Sequence, residues 1–130
     1  MDMIISFEGK AKVNADYHGM TIHTDQPLPS GDGSAPAPFD LFLASIGTCA
    51  GIYVKSFCDQ RGIPTDNIRI VQSIGFDKVN HLVSNIKLDI QLPASFPEKY
   101  RDAVMNAADI CAVKRHLQNP PKIETLTSIV

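Results

Sequence analysis

From Leu41 to Val54 the chain carries no charged side chain. The run reads as the middle of a helix over 38–61, with Pro38 tolerated in the first turn and Gly62 placed to cap the end. A helix apolar on nearly every side must be covered all round by protein, and a sheet on one side with a second helix on the other would do it. The uncharged run is shorter than the roughly 18 to 20 apolar residues that a membrane span requires, so a buried helix is expected. Gly47 and Gly51 recur four apart on one face, and each costs about 1 kcal/mol of helix propensity relative to alanine. Close backbone approach is the expected compensation, with the same helix of a second subunit as the candidate neighbour.

The rest of the chain supplies the cover. At 130 residues it is expected to form one domain, 1–130, with a core that needs neither disulfide nor structural metal. Residues 3–14 and 17–25 read as strands joined in a hairpin at Asp16-Tyr17-His18-Gly19. The loop 27–38 is rich in Pro, Gly and Ser and poor in anything able to anchor a core, and reads as an ordered-to-mobile loop. Residues 67–79 and 82–92 form a second strand pair, in which Ile86, Leu88, Ile90 and Leu92 face the core. Ser95-Phe96-Pro97-Glu98 has the spacing of a capping box. The helix it opens buries Tyr100, Val104, Ala107 or Ala108, and Cys111, and Asn119-Pro120-Pro121 stops it. Residues 122–130 read as a last strand. The order β-β-α-β-β-α-β, with strands paired as hairpins, makes the fold class α+β.

A formal net charge of −2 and the absence of a basic block argue against a nucleic-acid surface. Met1-Asp2-Met3-Ile4-Ile5 lacks the charged and apolar regions of a signal peptide, so a cytoplasmic protein is expected. In that compartment the three cysteines stay reduced, and any pairing between them is chemistry rather than scaffolding. No Cys-x-x-Cys or His-x-x-x-His spacing is present, so no metal site and no cofactor are expected.

Cys49 and Cys111 fall on the buried faces of two predicted helices and suggest a buried two-thiol centre. Two readings are open: a reactive thiol with a resolving partner, or two inert core cysteines. Cys58, nine residues after Cys49, falls on the opposite side of the helix and reads as a spectator. His116, Lys114 and Arg115 lie close enough in sequence to tune Cys111.

The segment Ala37-Pro38-Phe39-Asp40-Leu41-Phe42-Leu43-Ala44-Ser45-Ile46-Gly47-Thr48-Cys49, followed later by Cys111-Ala112-Val113-Lys114-Arg115, resembles the OsmC/Ohr superfamily, in particular its YhfA-like redox branch. The resemblance implies an intertwined homodimer with two long central helices wrapped by sheets from both subunits. It also implies reduction of organic hydroperoxides at the expense of a dithiol, with Cys49 peroxidatic and Cys111 resolving. Asp40 matches an acid of the YhfA-like branch and would be its acidic support. Phe39, Phe42, Ile46 and Tyr53 would line a dry pocket that favours apolar peroxides. The hydroperoxide reductases use an N-terminal arginine braced by a glutamate; here no arginine precedes Arg61, and Phe39 stands at the glutamate's position. The alternative is a non-enzymatic dimer of the same fold that binds a small apolar or sulfur-containing ligand at its interface.

Overall fold

In the computed structural model, which describes every residue from Met1 to Val130, the chain turns back as early as Gly9 and Lys10, at φ 121° and 50°. Glycine tolerates such angles and lysine does so at a cost. The expected strand 3–14 is therefore two strands, β1 (Ile4–Gly9) and β2 (Lys12–Tyr17), and the second hairpin leads into β3 (Met20–Thr24). Then come helix α1 (Pro38–Asp59), β4 (Arg69–Asp77), β5 (Leu82–Gln91), a short 3-10 turn at Glu98–Tyr100, α2 (Arg101–Asp109) and α3 (Ala112–Gln118). The fold is α+β, with a three-stranded antiparallel sheet β1-β2-β3 and a two-stranded antiparallel sheet β4-β5.

The chain divides into two compact units, Met1–Ser45 and Ile46–Val130. In the first unit, residues directly opposite one another share a sheet face. Ile5 pairs with Ala15 and Ala15 with Ile22, Phe7 with Val13, and Tyr17 with Met20, so one face is apolar. Phe7 on that face is 84% exposed and Met20 66%. Natural monomers rarely leave such a patch open.

The loop 25–37 is ordered by contacts around Asp25. Asp25 is fully buried and the only buried charged side chain. Its carboxylate accepts from Gln26 N–H at 2.7 Å, Ser34 N–H at 3.0 Å and the Ser34 hydroxyl at 2.5 Å. Asp25 N–H donates to Pro36 O at 3.1 Å and closes the loop, while Lys10 and Lys12 reach Asp32 from the hairpin at 3.1 and 3.7 Å. The Ser34 hydroxyl first, then the Gln26 and Ser34 N–H groups, hold the Asp25 carboxyl at about 2, below its ordinary 3.8. A carboxyl lowered on folding contributes stability above its unfolded value and loses it as pH falls through the folded one, here from about pH 4 to about pH 2. Asp25→Asn is expected to remove that part of the acid sensitivity, read from urea midpoints across this window. Gly31 is buried against the same carboxylate, and a Cβ there would collide with Asp25 Oδ1 and the Gln26 carbonyl. Gly31→Ala is expected to cost about 1 to 3 kcal/mol, the usual penalty of overpacking, measured by denaturant unfolding.

In the second unit, Ala50, Val54, Phe57 and Cys58 of α1 form a core with Phe96, Val104 and Ala108, against which Ile70, Leu88 and Ile90 pack. The glycine face of α1 lies over β4: a Cβ at Gly47 would stand 2.5 Å from the Gln72 amide oxygen, and one at Gly51 3.9 Å from Ile70 Cδ1. Within the chain, then, a strand rather than a second copy of the helix occupies this face. At its end α1 closes as expected on Gly62, at φ 64°, with Ile63 N–H bonded to Cys58 O and Gly62 N–H to Asp59 O. These two bonds make a Schellman cap.

Two of the sequence expectations fail, and the cover of α1 is partial within this one chain. Phe39, Phe42 and Ile52 of α1 are 54, 41 and 57% exposed. At 22 residues it is long and apolar enough, by length and composition, to cross a membrane, although its stripe Ile46, Ala50, Val54, Phe57 and Cys58 is buried as in a core helix. The capping box does not form: Pro97 caps the 3-10 turn with no side-chain bond, while Phe96 sends its ring into the core. Residues 122–130 form no strand, since no neighbouring strand offers them a ladder, and Ile123 and Ile129 are 85 and 100% exposed.

Candidate active site

Cys49 lies midway along α1, half-buried, with Ile46 and Ile52 three residues to either side and Tyr53 one turn on. Cys58 is on the opposite side of the helix, as about 100° per residue requires, and that side is the core. The fully buried thiol of α1 is therefore Cys58 and not Cys49. Burial, then the neighbouring Asp59 charge, push the Cys58 thiol up, which starves it of thiolate.

Cys111 is buried, as expected, but not inside a helix. With ψ at 149° it is the N-cap of α3, and its sulfur accepts the Lys114 N–H at 3.3 Å. The predicted single helix is thus broken at Ile110–Cys111. Two of the three side chains expected to tune this thiol are engaged elsewhere: Lys114 Nζ pairs with Asp109 at 2.6 Å, and His116 Nδ1 meets the Ala112 carbonyl at 2.6 Å.

All three cysteines are free, so no disulfide joins Cys49 to Cys111. In the first unit Phe39 stacks on Phe42, ring centroids 5.6 Å apart, and Asp40 is an exposed acid in the first turn of α1. An acid there is favoured by the helix dipole. Ile46 is buried and Tyr53 half-buried. Arg61, the first arginine of the chain, donates to the Phe57 carbonyl at 3.0 Å and stacks over the Phe57 ring at 3.7 Å. Its guanidinium is thus held at Phe57, eight residues or about 12 Å of helical rise beyond Cys49, too far to serve as that thiol's cation. The sequence reading missed Asp25, although an Asp followed by Gln-Pro with a Ser nearby is the composition of a side-chain-bonded turn.

The sequence profile of the OsmC-like protein family matches residues 31–126, which include both Cys49 and Cys111. The chain belongs to that family. Among solved structures, this OsmC-like protein is similar to one from Psychrobacter arcticus 273-4 described as an osmotic stress induced and detoxification response protein, with a TM-score of 0.72 and 20% identity over 87% of this chain and 85% of that one. It is also similar to an OsmC like protein from Mycoplasma pneumoniae, TM-score 0.68 and 13% identity over 92% and 87%. A third is an OsmC-like protein of unknown function from Vibrio cholerae, TM-score 0.60 and 11% identity over 88% and 90%. No curated protein matches the chain. At these identities the structural likeness speaks for the fold, and the chemistry must come from the residues.

Proposed function

We propose that this OsmC-like protein is a cytoplasmic thiol peroxidase that reduces organic hydroperoxides through Cys49 and Cys111. The observation that carries the reading is differential access. Of the three thiols only Cys49 is partly open to solvent, so a peroxide meets it first. The Cys49 thiolate attacks one oxygen of the O–O bond, the bond breaks, and the other oxygen takes a proton and leaves as the alcohol, giving Cys49 sulfenic acid. The Cys111 sulfur then attacks the Cys49 sulfur, displacing water and forming a disulfide, and an external dithiol reduces it by exchange. Cys111 stands at the break between α2 and α3 rather than inside a helix. Within the second unit Ile46 and Tyr53 lie one helical turn to either side of Cys49 and give apolar surroundings that favour an apolar peroxide.

The reading includes a homodimer. The bare flank of α1 and the apolar face of β1-β2-β3 are the kind of surfaces a two-fold partner buries. The Psychrobacter relative's description as a detoxification response protein is consistent with a role in stress response.

Treating the reduced protein with one equivalent of cumene hydroperoxide and mapping its peptides under non-reducing conditions tests the proposal. A Cys49–Cys111 disulfide is expected. Three thiols still open to alkylation after unfolding would leave the non-enzymatic alternative, a dimer that binds a small apolar or sulfur-containing molecule.

A further inference from the structure

Away from Cys49, at the far end of α1, a cavity of about 400 Å³ opens between the Arg61–Pro64 turn and the Pro93–Pro97 segment. Its size falls within the range of small-molecule sites, and its composition is selective. Ile63 and the buried Phe96 give apolar wall, and Pro64, Pro93 and Pro97 give rigid rim. Arg61 is the one charged residue among the lining groups, and no carboxylate faces it there. The acids near it in the chain are accounted for: Asp59 is paired with Lys55 at 2.5 Å and Glu98 with Arg101 at 3.2 Å, while Asp66 does not line the cavity.

Arg61 is also held in place. One guanidinium nitrogen donates to the Phe57 carbonyl at 3.0 Å, and the guanidinium carbon lies 3.7 Å from the Phe57 ring centroid and 5.4 Å from that of Tyr100. Its remaining N–H groups are open to solvent, as are the side chains of Asn67 and Ser95, which line the same cavity. A cation held in place with donors open to solvent, two exposed polar side chains beside it and an apolar wall from Ile63 and Phe96 suit one ligand class, because a fixed fork loses little entropy when an anion docks on it.

We propose that this cavity binds a small organic anion. Its carboxylate or phosphate head sits on Arg61 with hydrogen bonds from Asn67 and Ser95, and its aromatic or branched body lies against Ile63, Pro64 and Phe96. The site is independent of the thiol chemistry and is unaffected by Cys49→Ser. The test is a titration of the full-length ¹⁵N-labelled protein with phenylacetate, with phenyl phosphate and with neutral 2-phenylethanol, followed by amide shifts. Saturable shifts centred on Gly62, Ile63, Asn67 and Phe96 are expected for at least one of the two anions, and the better anion identifies the head group. The neutral probe is expected to bind at least about tenfold more weakly, the scale of one lost charge-assisted bond. Arg61→Gln is expected to weaken the anion by a similar factor, and Arg61→Lys, which keeps the charge but loses the planar stack, by less. If Arg61→Gln disturbs the fold, Asn67→Ala carries the same comparison. Equal binding of the neutral probe, shifts centred elsewhere, or an affinity unchanged by these substitutions would overturn the proposal.

Discussion

Replacing Cys49 with serine is expected to abolish reduction of cumene hydroperoxide while leaving the fold intact. A hydroxyl cannot supply the thiolate that attacks the O–O bond, so the loss should be on the order of 10³-fold or more, the scale seen when a catalytic nucleophile is removed. Serine is close in volume to cysteine, and the half-buried position tolerates its hydroxyl, so the circular dichroism spectrum and thermal midpoint should stay near those of the parent. Cys58→Ser behaves in the opposite way. It places a hydroxyl in a fully buried apolar site, which costs stability and leaves peroxide turnover in the folded fraction unchanged. Measuring both variants separates the reacting thiol from the packing one.

Phe57→Ala is expected to destabilise the second unit by about 3 to 5 kcal/mol, the cost of a large cavity in a packed core. Phe57 is more than a filler. Its ring meets Tyr100 edge-on, centroids 5.8 Å apart at 83°, and carries the Arg61 guanidinium on its face. The substitution therefore removes core volume, an aromatic pair and the stack that steadies the end of α1. Since whole domains are stable by only about 5 to 15 kcal/mol, a loss of this size should shift the urea midpoint strongly. Phe57→Leu, which keeps most of the volume, should recover a large part of it. A loss under about 1 kcal/mol for Phe57→Ala would mean that the core is not organised around this ring.

Where periodicity was strong, the sequence reading and the structure agree. The alternation through Ile86, Leu88 and Ile90 marks β5, of which Leu88 and Ile90 pack on the core, and the uncharged run 41–54 with Gly62 as the later cap marks α1, because each element's own hydrogen bonds and one buried face decide it. The failures share a physical cause, namely dependence on something distant in the chain. The turn at Gly9 and Lys10 has a single glycine as its local sign, so the sequence pattern runs through it as one strand. Asp25 looks like a loop residue until Ser34, nine positions later, folds back onto its carboxylate. Residues 122–130 have strand composition, but a strand exists only where a neighbour completes its ladder. At the site, helical phase placed Cys49 and Cys58 on opposite sides correctly. It could not tell which side was the core, because α1 is apolar on both. The break before α3 was hidden for a similar reason: Cys111 continues the buried stripe of α2 even though the helix stops before it.

If Cys49 is the thiol that meets peroxide, one experiment shows it without relying on turnover. In Cys111→Ser protein the sulfenic acid has no resolving partner, so it should persist long enough to be trapped by dimedone after a stoichiometric addition of cumene hydroperoxide. Peptide mapping by mass spectrometry is expected to place the adduct on Cys49 alone. An adduct on Cys58 instead, or no adduct on any cysteine while the peroxide remains unconsumed, would contradict it.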